Sequence, residues 1–252
     1  MTSQDLSQQG RIAFVTGASR GIGRAAALGL ANAGAQVIAA GRAKAALEEL
    51  DDEVFATTGN HATLIPFDIT DTESLERLTG ALFERFGRLD TVVHSAGVLG
   101  TLTPITQHSP KDFAKVVDVN LMATWNLMRA VEPLLRQSAS GRAIFLTTAK
   151  WVTAGRAFWG PYGATKAAVE SLVRAWADEL EITPIRAALV SPGAIRTRMR
   201  ASAFPGEDPM SIPPPEVLVP LFLELADPSR EPPRDVVDFR DWTKARAEAT
   251  AS

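Results

Sequence analysis

The sequence contains no cysteine in 252 residues and only three histidines, His61, His94 and His108. A disulfide framework and a thiolate zinc site are thereby excluded, the histidines are too scattered to form a metal cluster in sequence, and a reducing, cytoplasmic setting fits. Positive charge is not in surplus either: 26 Lys and Arg against 29 Asp and Glu give a formal net charge of -3. Nucleic acid is therefore not expected as a partner, because phosphate binding needs an excess of Lys and Arg. The first ten residues, Met1 to Gly10, are polar and lack the apolar run of a signal peptide. They read as a loose tail, with no secretion or membrane insertion expected. The scarcest informative residue is tyrosine: beside five Trp and eleven Phe there is one, Tyr162.

What is present reads as a single α/β domain over residues 1–252. Hydrophobic residues make up 46% of the chain, enough for a large core in one domain of this length. Short apolar or β-branched runs alternate with longer helical stretches, the pattern of a doubly wound Rossmann-type domain, a mostly parallel sheet with helices on both faces. Strands are expected at Ile12 to Thr16, Gln36 to Ala40, Thr63 to Phe67, Thr91 to His94, Ala143 to Thr147 and Ile185 to Val190, with a weaker seventh at Val236 to Phe239. Thr70 with Glu73, and Ser109 with Pro110 and Asp112, carry helix-start signals. The second of these helices is expected from Pro110 to Gln137, with Pro133 bending it or lying near its end. Nine of the sixteen prolines lie beyond Ala201, so residues 198–226 read as a substrate-covering segment holding a short helix from Glu216 to Leu225. The Lys244 to Ser252 tail is polar and expected to fray.

Strand one ends in Thr16-Gly17-Ala18-Ser19-Arg20-Gly21-Ile22-Gly23, followed by an Ala- and Leu-rich helix. Glycines at a strand-to-helix turn let backbone approach a pyrophosphate, and the helix start supplies amides and partial positive charge. A fold of this kind that selects NAD places Asp or Glu at the end of strand two to hold the ribose 2′-hydroxyl. Here that strand ends Ala39-Ala40-Gly41-Arg42. Arg42 and Arg20 can instead form a fork for a 2′-phosphate, favouring NADP(H) over NAD(H). Asp68, after strand three, can accept from the adenine amino group or cap the turn near Thr70.

Tyr162 and Lys166 stand four apart at the head of a helical stretch, so they share a face. A free phenol titrates at about 10, and a nearby cation favours its ionised form, which makes the pair a candidate acid or base.

Together these motifs resemble the short-chain dehydrogenase/reductase family over roughly Arg11 to Thr197. Its glycine-rich loop matches at Thr16, Gly17, Gly21 and Gly23, its Tyr-x-x-x-Lys pair at Tyr162 and Lys166, its mid-helix asparagine at Asn120 and its Pro-Gly turn at Pro192 and Gly193. Met199 to Pro209, with Arg156 to Gly160, is similar to the bacterial YciK-like members. The resemblance implies hydride transfer between NADP(H) and a carbonyl or alcohol, with Tyr162 giving its proton to the carbonyl oxygen. Lys166 would hold the nicotinamide ribose and lower the tyrosine pKa. Asn120 would support a water that relays protons to Lys166, and Thr197 would meet the carboxamide. It also implies cofactor contacts at Ser19, Arg20, Ile22, Arg42, Asp68, Ile69, Ser95, Ala96, Gly97, Ile195 and Thr197. Two places depart from the family. The usual strand-five serine is a threonine, Thr148 with Thr147 as the alternative, and the usual Asn-Asn-Ala-Gly reads His94-Ser95-Ala96-Gly97, with His94 expected to be a packed histidine.

The substrate pocket is expected under Arg198 to Pro215, lined by Trp151, Val152, Phe158 and Trp159, because loops after strands five and six overhang the carboxyl edge. Those walls suit an apolar or aromatic ketone or aldehyde, while Lys150, Arg156 and Arg198 leave an anionic one open. The family resemblance further implies a homodimer or homotetramer, in which the helices near Lys111 to Gln137 and Tyr162 to Leu180 pack across a two-fold axis. Trp125 and Trp176 fit that contact or core packing equally. The leading reading is an NADPH-dependent carbonyl reductase; the others are an NAD-linked alcohol dehydrogenase of the same fold and a catalytically weak dinucleotide-binding protein.

Overall fold

Strands that are apolar at every position can be buried only if both faces of their sheet are covered. The computed structural model describes residues 7–251. Its strands are β1 (Ile12–Thr16), β2 (Gln36–Gly41), β3 (Thr63–Pro66), β4 (Thr91–His94), β5 (Arg142–Leu146), β6 (Arg186–Ser191) and β7 (Val237–Asp238). They form one sheet in the order β3-β2-β1-β4-β5-β6-β7, parallel throughout. The helices are α1 (Gly21–Asn32), α2 (Lys44–Thr58), α3 (Thr72–Phe86), α4 (Pro110–Val117), α5 (Ala123–Leu135), α6 (Lys150–Thr153), α7 (Gly160–Glu179), α8 (Arg198–Ala203), α9 (Val219–Ala226) and α10 (Phe239–Ala251).

The two-residue period of a strand divides the interior into two cores. Ile12 and Phe14 enter one, with Val92 and Phe145, under Leu75 of α3, Leu127 of α5 and Val173 of α7. Ala13 and Val15 enter the other, with Val37 and Ile144, under Leu30 of α1, Leu50 of α2 and Phe222 of α9. Strand order reverses at β1, flanked by β2 and β4. A crevice therefore opens where β1 and β4 end, the usual ligand position in such sheets.

Every strand end lies within one residue of its expected place. The helices differ more. Thr70 does not start α3; the N-cap is Asp71, whose carboxylate accepts from the amide of Ser74 (3.0 Å). Ser109 does cap α4, accepting from the amide of Asp112 (3.1 Å). The continuous helix expected from Pro110 to Gln137 is interrupted by a π-helical turn at Asp118–Met122, and Pro133 lies two residues before the end of α5. The expected Glu216 to Leu225 helix is a 3₁₀ turn at Pro215–Leu218 running into α9. Of the tail expected to fray after Lys244, α10 takes in the residues as far as Ala251, and Ser252 lies outside the described residues. At the other end, residues 1–6 of the expected loose tail lie outside the described residues, but Gln8 is buried and its amide donates to the carbonyl of Ala33 (2.8 Å). No helix among the described residues is long and apolar enough to cross a membrane.

The amino edge of the sheet, opposite the crevice, is tied by buried polar groups. Asp90 accepts from the amide of Ile12 (2.9 Å), the hydroxyl of Ser138 (2.6 Å) and the guanidinium of Arg88 (3.1 Å). Arg142 donates to the backbone carbonyls of Asp227, Pro228, Arg230 and Gly141. Asp90→Ala strands a buried amide and hydroxyl, and is expected to cost about 2–4 kcal/mol. Urea unfolding checks this as a lowered midpoint; an unchanged midpoint would show that the edge does not depend on Asp90.

Candidate active site

Pro161 occupies the first turn of α7, where its missing amide costs nothing. Tyr162 and Lys166 follow on one buried face, turned to the end of β5. Lys166 Nζ donates to the carbonyl of Leu146 (2.8 Å), and the hydroxyl of Thr148 stands near enough to the Tyr162 phenol to favour its ionised form. Thr147 turns the other way, donating to Oε1 of Glu170 (2.7 Å). Of the two threonines that the sequence left open, Thr147 is engaged by a carboxylate and Thr148 stands beside the phenol. Burial pushes the phenol of Tyr162 above its ordinary value, partly offset by the Thr148 hydroxyl. Burial likewise draws the Lys166 ammonium down to about 8, with the Glu170 carboxylate acting in the opposite sense. Lys166 was expected to lower the tyrosine pKa. In this geometry its ammonium is directed onto the Leu146 carbonyl, and burial dominates at the phenol.

Asn120 sits in the π-helical turn between α4 and α5, the kind of helix irregularity often found at functional sites. Its side chain accepts from the amide of Val98 (2.8 Å) and donates to the carbonyl of Val98 (2.9 Å) and to Thr165 Oγ1 (3.2 Å). Gly97 lies between Asn120 and Lys166: a Cβ there would stand 3.3 Å from Asn120 Oδ1 and 3.7 Å from Lys166 Nζ. Beneath them His94 is buried between two hydroxyls, Thr16 Oγ1 at 2.7 Å from Nδ1 and Thr124 Oγ1 at 3.0 Å from Nε2. Thr124 donates its own proton to the carbonyl of Asn120 (2.6 Å), so it accepts from Nε2–H, and Nδ1 accepts from Thr16. His94 is therefore a packed, neutral imidazole. Burial and the nearby Lys166 charge hold its pKa down to about 3.

The glycine-rich loop joins β1 to α1 at the crevice. Gly17 adopts φ +68, and a Cβ there would meet the amide nitrogen of Ala96 at 2.8 Å, so the loops after β1 and β4 approach more closely than any side chain allows. Helices α3, α4 and α8 have side-chain caps, but α1 has none and carries no acid in its first turn. Its leading amides face the crevice available to an anion, which fits the phosphates of a dinucleotide. Gly41 at the end of β2 packs on Ser19, its Cβ position 3.3 Å from Ser19 Oγ, which brings Arg20 and Arg42 to the same corner. Asp68 accepts from the Thr70 amide (3.0 Å) and hydroxyl (2.8 Å) and lies 4.0 Å from Arg42. The bond from the Thr70 amide, with Arg42 contributing, holds its carboxyl below the usual range. Thr197 caps α8 by accepting from the amide of Arg200 (3.1 Å), with its methyl 3.3 Å from the Cβ position of Gly21. The Pro192-Gly193 turn follows β6, with Gly193 at φ +73. The side chains of Ile69 and Ile195 are buried in the two cores, so only their backbone is free to meet a ligand.

Beside Tyr162 lies a cavity of about 400 Å³ lined by Trp151, Arg156, Trp159, Arg200 and Phe204. Trp159 touches the ring of Tyr162 edge-on, with centroids 5.9 Å apart. The loop that presents Arg156 and Trp159 is strained: Phe158 has φ +73, the only positive value outside glycine among the described residues. For a bulky side chain this conformation costs about 1–3 kcal/mol.

The model of the short chain dehydrogenase family matches residues 11–208. The chain belongs to that family. It is 39% identical to the oxidoreductase YciK of Escherichia coli K12 over 230 residues, 90% of each chain. It is 33% identical to the NADPH-dependent pterin aldehyde reductase of Arabidopsis thaliana over 194 residues, 77% of this chain and 78% of that one. A short chain dehydrogenase from Escherichia coli CFT073, solved in complex with NADPH, superposes with a TM-score of 0.87 at 36% identity, covering 93% of this chain and 98% of its own. This protein is accordingly an NAD(P)-dependent short-chain dehydrogenase/reductase, of a kind similar to YciK.

Within this family member the pocket walls differ from expectation. Trp151 and Trp159 do line the cavity, but Val152 is buried against Gly163 of α7, and Phe158 is exposed and does not line it. Arg200 and Phe204 of the covering segment take their places. Trp176 packs in the core, its indole donating to Glu132 (2.8 Å), whereas Trp125 is exposed under Arg129. Glu170 was not singled out from the sequence, although its spacing four beyond Lys166 was a usable signal. The roles of Thr124 and Thr165 had no local signal, since both depend on helix packing.

The His94 geometry has a pH consequence. The folded ring stays neutral to about pH 3, while an unfolded histidine protonates near 6.5. The unfolded chain thus binds the extra proton in between, and stability falls with pH through that window, by about 3 kcal/mol from this group by pH 4.5. In His94→Gln the slope of unfolding free energy between pH 6.5 and 4.5 should flatten, whatever its stability at pH 7. Equal slopes in both proteins would show that the ring is not held neutral.

Proposed function

We propose that this protein is an NADPH-dependent carbonyl reductase, with Tyr162 as proton donor. The observation that carries this reading is the buried Tyr162 phenol, with the half-buried Thr148 hydroxyl close by, beside Lys166 at the crevice where β1 and β4 end. When bound, NADPH supplies the hydride that adds to the carbonyl carbon. Tyr162 hands its proton to the carbonyl oxygen, and a phenol held un-ionised by burial starts in the form needed for donation. Thr148 gives the second hydrogen bond to that oxygen and orients the phenol. Lys166, held on the Leu146 carbonyl, would bind the nicotinamide ribose. Asn120, pinned by Val98 and Thr165, supports a water that passes protons to Lys166 through the space left by Gly97.

The cofactor is held by Gly17, Ser19, Gly21, Ile22 and Gly23 at the phosphates, with Ser95, Ala96 and Gly97 along the dinucleotide. Asp68 and Ile69 would meet the adenine, and Pro192, Gly193, Ile195 and Thr197 the nicotinamide. Arg20 and Arg42 favour the 2′-phosphate; Arg20 has no acidic partner among the described residues, and Arg42 only a long contact to Asp68. The direction of reaction is supported by the Arabidopsis thaliana relative, whose name records NADPH-dependent reduction of an aldehyde. Exposed Phe113, Met122 and Trp125 on and beside α4 and α5 support a homodimer or homotetramer built on those helices, and the cysteine-free sequence supports a cytoplasmic setting.

Tyr162→Phe should keep NADPH affinity while turnover falls on the order of 10²–10⁴-fold; steady-state NADPH oxidation and a separate binding titration measure the two, and normal turnover would overturn the mechanism. Arg42→Ala should weaken NADPH binding about tenfold and leave NADH unchanged, the scale of a lost charge-assisted hydrogen bond. Equal losses for both dinucleotides would remove the case for NADPH.

A further inference from the structure

Three aromatic rings wall the cavity beside Tyr162. Trp151 and Trp159 meet edge-to-face with centroids 5.8 Å apart and planes 80° apart, and Phe204 is tilted against Trp159 at 5.8 Å. Flat walls of this kind favour a flat, polarisable guest, because ring-to-ring contacts add to simple apolar burial. At about 400 Å³ the space is at the lower end for ligand pockets, suited to one or two fused rings.

Two arginines share the lining, and they are not equivalent. Arg200 is neutralised: both its Nε and Nη2 donate to Glu207, each at 2.6 Å, and its guanidinium lies 3.7 Å over the face of Phe204. It therefore serves as wall and brace, and it ties α8 to the loop that follows. Arg156 is exposed and has no carboxylate partner among the described residues. Its guanidinium lies 5.6 Å over the face of Trp151. No acidic side chain lines the cavity. The cleft thus carries one uncompensated positive charge, on a strained loop whose next ordered contact, Trp159, touches the phenol of Tyr162.

We infer that the substrate is a planar aromatic or heteroaromatic aldehyde or ketone bearing an anionic group on the side of the ring away from the carbonyl. The carbonyl lies at Tyr162 and Thr148, the ring between Trp159, Trp151 and Phe204, and the anion on Arg156. A guanidinium backed by an aromatic face is well suited to a carboxylate or phosphate, since it presents paired donors and is weakly hydrated. This inference rests on the reductase reading for its carbonyl end and on the cavity alone for its ring and anion.

Four aldehydes separate the parts: 4-carboxybenzaldehyde, benzaldehyde, cyclohexanecarbaldehyde and 4-oxobutanoate, each followed by NADPH oxidation with the full-length protein. The expected result is a kcat/KM for 4-carboxybenzaldehyde at least about tenfold above each of the others, the scale of one good charge-assisted contact. Arg156→Gln should remove that advantage, mainly through KM, and Arg156→Lys should partly restore it. Equal rates on benzaldehyde and 4-carboxybenzaldehyde would overturn the anion site. A preference for cyclohexanecarbaldehyde or 4-oxobutanoate would overturn the aromatic one. If no probe is reduced, calorimetric binding of terephthalate, which has no aldehyde, decides separately. Binding that is lost in Arg156→Gln upholds the cleft while the reductase reading fails, and no binding overturns the inference itself.

Discussion

One buried imidazole holds the end of β1, the end of β4 and the turn bearing Asn120 in fixed relation. His94 accepts a hydrogen bond from Thr16 and donates one to Thr124, which donates in turn to the Asn120 carbonyl. The run of donors has a single direction, so each partner is specified by the next. In a dry interior a reversed ring would set the bare Nε2 against the Thr124 oxygen, acceptor against acceptor, and a doubly protonated one would put a charge there; both are costly. The loops that border the crevice and the helix that carries Asn120 therefore inherit their positions from a residue that takes no part in chemistry.

The two edges of the sheet divide the work. At the amino edge Asp90 and Arg142 use almost all of their hydrogen-bonding capacity on backbone and neighbouring side chains, which suits a region whose task is to hold the strands together. At the carboxyl edge donors are left over: the first amides of α1, Arg20 and Arg156 all lack an acidic partner among the described residues. Unsatisfied donors next to a buried phenol and ammonium are what a fold retains when an anionic ligand is to complete it. Local strain follows the same division, with left-handed Phe158 at the carboxyl edge beside the cavity.

Much of this was legible in the sequence because the signals are local. A continuous apolar run makes a strand in any surroundings, and glycines at a strand-to-helix junction or a tyrosine four before a lysine imply their geometry directly. The seven strands, the phosphate loop and the Tyr162–Lys166 face could be read for that reason. Choices decided by packing could not. Thr147 and Thr148 are chemically alike and adjacent; only the position of Glu170 on α7 draws one away from the phenol. Val152 and Phe158 read as pocket walls by proximity, yet one is buried against α7 and the other is exposed. The π-helical turn at Asp118–Met122 leaves no mark in composition, and the cap of α3 moved from Thr70 to Asp71 because two plausible oxygens stood side by side.

The lone tyrosine also makes the protein unusually transparent to spectroscopy. In most enzymes of this size the ultraviolet signature of phenolate is an average over many side chains, most of them irrelevant. Here the chain holds one phenol, and it is the buried one beside Lys166. An alkaline absorbance titration of the native protein therefore records the ionisation of a single, identified group, with no isotopic label and no mutation. Ligands that change the electrostatics of the crevice will be seen as a displacement of that one curve.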